Sequence, residues 1–436
     1  MKRFPRFEWS MKSSGFTLAL AILAMLSAVH AAETEAQSKP LLSKGGRIVI
    51  AGDSITEAMC YSRFIELYFA ACLPELELCP MHVGRSGATL GAMQVWNPLI
   101  IVPAKPTLVT MCFGMNDGGY TQFNPLVAKG YSDGLKIAIG PLKDAGATVL
   151  VGSPGVVDSH YFKGLKGPHK AGEDAAIYNQ TLAGLRDAAR DTAAACRTPF
   201  ADIHTPMLVA MENAKAALGK DYAICPDGIH PGPNGHLVMA YAFLKAMGLD
   251  GNIGAIVVDK DGKATASEGH RIISQVNGTM EMESRRYPFC FDFNDKSPSS
   301  VRSILPFVPF NQELNRFTLT VKNLKGERAK VSWGAASRTF SRKELEAGVN
   351  LADAFAGETP FQENFKNADA AVLAKETYET QIKTMLGETS KLLNSPSDKA
   401  KMETLSGILL EAVDRKNAEI RAILAPVKHS LAIALE

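Results

Sequence analysis

Short apolar runs alternate with segments of helical periodicity from Arg47 to about Gly248. This alternation restricts the fold more than any other feature of the sequence, because strands that alternate with helices build a parallel sheet with helices on both faces. The predicted strands cover residues 47–51, 107–112, 148–151 and 199–203. The predicted helices cover residues 55–71, 127–145, 174–195 and 233–247.

The pattern changes after Leu249. Residues 253–355 contain short strand-like runs broken by Gly, Asn, Pro and Ser. Within them, residues 316–321 alternate with period two, and residues 330–333 are predicted to return as the second strand of a hairpin. Residues 361–435 are rich in Ala, Lys, Glu and Leu, with a break at 394–397, which predicts a helical hairpin. We therefore expect an α/β domain at 44–249, a β-rich accessory region at 250–357 and a C-terminal helical region at 358–436.

The N-terminal residues are typical of a targeting segment. Four basic residues precede an apolar run at residues 16–29, and the small residues Ala31 and Ala32 follow it. A basic start, a short apolar run and small residues are the features of a secretory signal. The sequence predicts a signal peptide at 1–31, a linker at 32–43, and an exported protein without stable membrane association after cleavage. An uncleaved membrane anchor is the alternative.

Charge and cysteine spacing argue against several kinds of partner. The net charge is only +2, which gives no reason to expect a nucleic acid or a membrane surface held by charge. The chain has seven cysteines, but they form no C-x-x-C pair and no Cys/His cluster with metal-site spacing. No metal site and no cofactor are expected.

The most informative loop is Gly52-Asp53-Ser54, between the first strand and a helix. A serine at such a turn projects its hydroxyl above the edge of the sheet. Its backbone N–H lies at the start of a helix, where unpaired donors favour negative charge. This suits a nucleophile whose tetrahedral product carries an oxyanion. By itself the segment is more typical of an ordinary helix N-cap.

Three further loops add candidate polar groups. Gly87, in Gly84-Arg85-Ser86-Gly87, can offer a backbone N–H at close approach. Asn116 follows the strand at 107–112 and carries a side-chain amide donor. Asp227 and His230 lie three residues apart in a Gly/Pro-rich loop, where a carboxylate can orient the imidazole that takes a serine proton. The first two loops, taken alone, are typical of turns.

In this order and spacing the four loops resemble the blocks of the SGNH (GDSL-like) hydrolase superfamily. The resemblance covers roughly residues 47–248, and Ile55 stands where the eponymous motif has leucine. It implies a flavodoxin-like three-layer α/β/α fold, with Ser54 as nucleophile, His230 as general base and then acid, and Asp227 as its orienter. It also implies an oxyanion hole made by the N–H groups of Ser54 and Gly87 and by the Asn116 side chain.

This resemblance favours an ester hydrolase that works through an acyl-enzyme on O-acyl, chiefly acetyl, esters of carbohydrates or small molecules. Two alternatives remain open: an O-acyltransferase with the same triad, and a non-catalytic carbohydrate-binding or scaffold protein. Asp158 and His160 follow the strand at 148–151 and are candidates for substrate contact. Trp96 and Tyr120 are candidates for the cleft wall, but aromatic residues at such positions more often belong to the core. Five histidines lack a matched acid at a strand end and are interpreted as structural: His82, His160, His169, His204 and His236.

Overall fold

The computed structural model describes residues 41–291, 297–392 and 396–436, without the side chains of residues 396, 397 and 399. The predicted signal peptide and almost all of the predicted linker lie outside these residues. Within the described ranges, no helix is long and apolar enough to cross a membrane.

Five parallel strands form the sheet of the first half, in the order β2-β1-β3-β4-β5. This is the strand order of flavodoxin-like folds. Three strands follow the predicted positions closely, whereas β5 is shorter and β2 was not predicted. The strands are β1 (Arg47–Gly52), β2 (Cys79–Gly84), β3 (Leu108–Cys112), β4 (Thr148–Gly152) and β5 (Phe200–Ala201).

Helices connect these strands. The predicted helix at 55–71 is two helices, because Met59 has a positive φ of 51° that interrupts helical geometry. Helix α6 was not predicted. Short 3-10 turns at Pro74–Leu76 and Leu90–Ala92 and a π-helical turn at Asn97–Ile101 complete the connections. The α-helices are α1 (Ser54–Glu57), α2 (Tyr61–Cys72), α3 (Met93–Trp96), α4 (Pro125–Asp144), α5 (Asp174–Ala195), α6 (His204–Leu218) and α7 (Pro233–Ala246).

Two further sheets follow. One has four strands in the order β13-β10-β6-β7, and the other has five antiparallel strands in the order β12-β11-β14-β9-β8. The strands are β6 (Asn252–Val258), β7 (Ala264–Ala266), β8 (His270–Val276), β9 (Thr279–Ser284), β10 (Arg316–Val321), β11 (Arg328–Trp333), β12 (Ala336–Ser341), β13 (Val349–Asn350) and β14 (Val427–Leu435). Short helices between them are α8 (Val301–Ile304), α9 (Phe310–Glu313), α10 (Arg342–Ala347) and α11 (Leu351–Ala354), with a 3-10 turn at Leu305–Phe307.

The predicted hairpin between residues 316–321 and 330–333 is wrong. Strand β10 pairs with β6 and β13, whereas β11 pairs with β12 and β14 in the other sheet. The apolar face of β10 is buried through Phe317, Leu319 and Val321. The alternation correctly identified a half-buried strand, but its partner β6 lies about sixty residues earlier in the chain.

A buried chain of hydrogen bonds joins these two sheets. Trp333 Nε1 donates to His429 Nδ1 (3.2 Å), and Ser284 Oγ lies 2.8 Å from His429 Nε2 and 2.8 Å from His270 Nδ1. His270 Nε2 lies 2.9 Å from the carbonyl oxygen of Ile253 in β6. Since Trp333 can only donate, each later bond has one direction, and both imidazoles are neutral with their proton on Nε2.

The predicted helical hairpin is confirmed as α12 (Gln362–Leu392) and α13 (Pro396–Ile423). It was predicted to reach Leu435, but residues 427–435 form β14, which lies between β11 and β9. Apolar side chains of both helices, such as Ile382 and Leu410, belong to the same core cluster as Val49 of β1 and Met81 of β2. The hairpin is therefore packed on the parallel sheet.

Candidate active site

The ends of four parallel strands form a row across the sheet. Gly84, Gly52, Cys112 and Gly152 are successive partners in the registers of β2, β1, β3 and β4. The loops that carry Gly87, Ser54 and Asn116 leave the sheet from three of these neighbouring positions. This is the edge at which open α/β sheets bind their ligands.

Ser54 is the first residue of α1. The N-cap is Asp53, whose Oδ1 accepts a hydrogen bond from the Ile55 N–H at 2.9 Å. Asp53 is almost fully buried, and this burial raises the pKa of its carboxyl group to about 7. Ile55, which stands where the GDSL motif has leucine, is buried as well, and this is consistent with a packing role for that position. Capping thus fixes the turn that presents the Ser54 hydroxyl.

His230 lies between Ser54 and Asp227. Its Nε2 is 2.9 Å from Ser54 Oγ, and its Nδ1 is 2.7 Å from Asp227 Oδ2. Asp227 Oδ1 also accepts the backbone N–H groups of Ile229 (2.9 Å) and His230 (2.7 Å). Burial acts to raise the pKa of Asp227, but the bonds from the His230 ring and from these two N–H groups outweigh it and lower the pKa. The ionised carboxylate holds the ring proton on Nδ1, which leaves Nε2 free to accept a proton.

Gly87 adopts the left-handed region with φ of +70°, and a Cβ atom there would meet no other atom within 4 Å. The residue type at this position is therefore limited by the backbone conformation and not by lack of space, and the position is open to solvent. Next to it, the Ala88 carbonyl accepts a hydrogen bond from Asn116 Nδ2 at 3.0 Å. The loops after β2 and β3 are tied together by this bond.

The Asn116 amide is held at both ends. Tyr120 donates its hydroxyl proton to Asn116 Oδ1 at 3.2 Å, while one Nδ2 hydrogen is used by Ala88. Among the residues that the structure describes, the second Nδ2 hydrogen has no hydrogen-bond partner. Burial raises the pKa of Tyr120 to about 12, so its hydroxyl remains a donor near neutral pH. The sequence offered Tyr120 as a candidate for either the cleft wall or the core, and its hydrogen bond to Asn116 was not predicted.

The Asp117 side chain also connects the loop after β2 with the loop after β3. Its carboxylate accepts the backbone N–H groups of Leu90 and Gly114, each at 3.0 Å. Burial raises the pKa of this carboxyl group despite those bonds. The bond to Leu90 connects the loop after β3 to the loop after β2.

Asp158 is a buried anchor in the structure. Its carboxylate pairs with Lys215 Nζ at 2.9 Å and accepts the backbone N–H groups of His160 (2.9 Å) and Ile224 (3.0 Å). The side chain has no exposed surface, so it does not provide the substrate contact considered for it. It holds the segment that leads into the loop of Asp227 and His230.

Among the described residues, the other histidines that the sequence analysis named and Trp96 form no hydrogen bond with the Ser54 hydroxyl. His82, His204 and His236 are buried, and burial lowers the pKa of each. His160 pairs with Asp221 at 3.2 Å and His169 pairs with Asp174 at 3.3 Å. Trp96 is buried against Phe113. All seven cysteines are free thiols.

Known proteins resemble this chain at the level of family and fold. Residues 50–238 match the model of the GDSL-like Lipase/Acylhydrolase family. No curated protein matches the chain. A gut microbial diltiazem-metabolizing enzyme has a similar structure, with 20% identity and a TM-score of 0.67, over 92% of this chain and 99% of its own. An acetylxylan esterase from Geobacillus stearothermophilus shares 20% identity with a TM-score of 0.37, over 48% of this chain and 96% of its own.

The likeness to the diltiazem-metabolizing enzyme extends well beyond the parallel sheet, so the two proteins share a fold across the accessory strands and the C-terminal helices as well. The family match covers the segment that contains all four loops at the sheet edge. Residues 50–238 therefore form a GDSL-like lipase/acylhydrolase domain of the SGNH hydrolase superfamily, and the protein is an enzyme that hydrolyses esters.

Proposed function

We propose that Ser54, His230 and Asp227 are the catalytic triad of this esterase. The observation that carries the proposal is the continuous pair of contacts from Ser54 Oγ to His230 Nε2 (2.9 Å) and from His230 Nδ1 to Asp227 Oδ2 (2.7 Å). Hydrogen-bond contact between nucleophile and base, with the base oriented by a third group, is the arrangement that activates a serine hydroxyl.

The chemistry proceeds in two steps. Ser54 Oγ attacks the ester carbonyl carbon while His230 Nε2 takes the hydroxyl proton, and the resulting imidazolium gives that proton to the leaving alcohol. An acyl-enzyme remains on Ser54. Water then attacks the acyl carbon, His230 takes a proton from the water and returns it to Ser54 Oγ, and the carboxylic acid leaves.

The oxyanion formed in each step is stabilised by three donors: the backbone N–H groups of Ser54 and Gly87 and the second Nδ2 hydrogen of Asn116. Support for this assignment comes from the bonds that hold Asn116 to Ala88 and Tyr120, because a fixed donor costs no reorganisation during the reaction. All three donors belong to the adjoining strand-end loops.

The substrate proposed is a short acyl ester, such as acetate, of a carbohydrate. The side chains of His230 and Asp227 are 44% and 58% exposed. Because His230 protonates the leaving alcohol, this exposure leaves room for a large polar alcohol such as a sugar. A long acyl chain, by contrast, gains its affinity from burial against apolar surface.

Reaction with a fluorophosphonate tests the triad. The Ser54 oxygen should form a bond to phosphorus with loss of fluoride, and peptide mass spectrometry should locate the adduct. Ser54→Ala should abolish the adduct and the burst of alcohol from p-nitrophenyl acetate, whereas Ser274→Ala, at an exposed serine of β8, should keep both. A Ser54→Ala protein that still shows the burst would refute the proposal.

The acyl preference has its own measurement. The value of kcat/KM should be highest for acetyl esters and fall as the acyl chain lengthens from two to twelve carbons. Acetylated xylo-oligosaccharides should release acetate. Higher kcat/KM for the twelve-carbon ester would contradict the proposed substrate class.

Export is the remaining part of the proposal. Its support is the basic start, the apolar run at 16–29 and the small residues after it. N-terminal sequencing of the mature protein after cell fractionation should find the first residue near Ala32 in an exported fraction. A protein that retains Met1 in the cytoplasmic fraction would contradict export.

A further inference from the structure

The outer edge of β2 is covered by side chains of the helical hairpin. Lys375 Nζ donates to the Pro80 carbonyl (3.0 Å), the His82 N–H donates to Glu379 Oε2 (3.0 Å), and Lys383 Nζ donates to the Gly84 carbonyl. These three residues of α12 are four apart, so they lie on one helix face. They bond to every second residue of β2, which are the residues whose polar groups point out of the sheet edge.

The second helix of the hairpin continues this cover. Asn417 Nδ2 donates to the Pro80 carbonyl (3.1 Å), and Arg421 donates to the Leu78 carbonyl (3.1 Å). The edge of β2 is thus occupied from Leu78 to Gly84 without a sixth strand. Gly84, at one end of this edge, is also the last residue before the loop of Gly87.

Lys383 also reaches the helix that Ser54 begins. Its Nζ lies 3.4 Å from Glu57 Oε1, in the last residue of α1. The other oxygen, Glu57 Oε2, accepts the backbone N–H of Ser86 (2.6 Å) and its hydroxyl (2.5 Å). Burial acts to raise the pKa of Glu57, but the Ser86 bonds and Lys383 outweigh it and lower the pKa. One lysine therefore contacts both the strand end and the helix that border the active site.

The contact between these two elements is close. A Cβ atom on Gly84 would lie 2.3 Å from the backbone nitrogen of Glu57, so no larger residue fits there without moving α1. Four residues after Gly84, the loop is fixed again by the bond from Asn116 to Ala88. Gly87 lies between two held neighbours, Ser86 and Ala88, and has no side chain of its own to fix it.

We propose that Lys383 and Glu57 are positioning residues that hold the Gly84–Gly87 loop, so that the Gly87 N–H stays directed at the oxyanion formed on Ser54. The inference rests on the proposed function, since it concerns the oxyanion hole of that triad. It gives the C-terminal hairpin a part in turnover: the helix that completes the sheet edge also sets the geometry of one oxyanion donor.

The test compares three variants with the unaltered full-length protein. Lys383→Met keeps the length of the stem but removes the charge and the donors, and Glu57→Gln removes the carboxylate that faces Lys383. Arg421→Met is the matched control, because it removes another bond to the edge of β2, at the end far from Gly87. For each protein, kcat and KM for p-nitrophenyl acetate are measured, and kcat is divided by the fraction of sites that react with a fluorophosphonate.

Lys383→Met and Glu57→Gln should each lower kcat about ten- to hundredfold with KM within about twofold, because a misplaced donor weakens transition-state stabilisation more than substrate binding. Arg421→Met should keep the kcat of the unaltered protein. The kcat of the double variant should be no lower than that of the less active single variant, because both changes release the same loop.

Three results would overturn the inference: unchanged kcat per reactive site in Glu57→Gln, an equal loss of kcat in Arg421→Met, or losses that multiply in the double variant. If Lys383→Met does not fold, the comparison of kcat per reactive site between Glu57→Gln and Arg421→Met tests the inference. A failure of the proposed function looks different, because the unaltered protein would then form no phosphonate adduct on Ser54.

Discussion

The backbone nitrogen of Asp158 donates a hydrogen bond to the carbonyl oxygen of Gly228, 2.9 Å away. The bond joins the loop after β4 directly to the loop of Asp227 and His230. The side chain of Asp158 makes further contacts: its carboxylate pairs with Lys215 and accepts a hydrogen bond from the Ile224 N–H. The position of His230 above Ser54 thus depends on a buried carboxylate that touches neither of them.

Lys215→Met should destabilise the protein by about 3 kcal/mol, because it leaves the buried Asp158 carboxylate without its cation. Urea unfolding measures the change. Lys245→Met removes a half-exposed ion pair with Glu313 and should cost less than about 1 kcal/mol. Equal losses for the two variants would contradict the anchoring role of Asp158.

Asp227→Asn should lower kcat about ten-thousandfold at neutral pH, because an amide does not hold the proton on His230 Nδ1. The measurement is the turnover of p-nitrophenyl acetate per folded protein. Asp221→Asn is the matched control, since Asp221 is an exposed carboxylate that pairs with His160. An Asp227→Asn protein with more than a tenth of the original kcat would exclude Asp227 as the orienting acid.

Asn116→Ala should lower kcat about 100- to 1,000-fold, the usual loss for one oxyanion donor. Tyr120→Phe keeps the ring but removes the bond to Asn116 Oδ1, and its effect should be smaller, about tenfold, with KM unchanged. If Tyr120→Phe has full activity while Asn116→Ala does not, the amide is oriented by Ala88 alone.

Acid should weaken the join between the two accessory sheets. Burial, aided by the nearby His270, lowers the pKa of His429 to about 4, whereas an unfolded histidine titrates near 6.5. Between these values the unfolded chain binds more protons than the folded one, so stability falls as the pH falls from 6.5 to 4. The loss from His429 is at most about 1.4 kcal/mol per pH unit. In His429→Gln the free energy of unfolding should depend less steeply on pH over this window, and an unchanged slope would contradict the assignment.

The parallel sheet could be predicted because its central strands are apolar at successive positions. Strand β2 could not, since Pro80 and His82 interrupt its apolar run, and it is stabilised by side chains about three hundred residues away. The hairpin prediction failed for a related reason. A turn between residues 316–321 and 330–333 is a local signal, whereas the pairing of β10 with β6 is settled by burial against distant residues.

The active-site residues could be proposed from sequence because each lies in a loop that follows a strand or precedes a helix. The residues that hold these active-site residues in place could not be predicted from the sequence. Tyr120 carries no sequence signal for a bond to Asn116, since tyrosines near a cleft are usually core residues. Lys383 is one lysine in a helix rich in lysine and glutamate, and only the folded chain brings it to Gly84.

Strand β14 lies in the middle of its sheet, between β11 and β9, although its residues come after both long helices in the chain. During synthesis, β8 with β9 and β11 with β12 can form as separate antiparallel pairs, and in this sheet of the described structure the two pairs are connected only through residues 427–435. Until these residues have left the ribosome, the inner edges of β9 and β11 expose unpaired backbone groups, which are sites of association with other chains. Insertion of β14 is therefore the step that ends this vulnerable stage of folding.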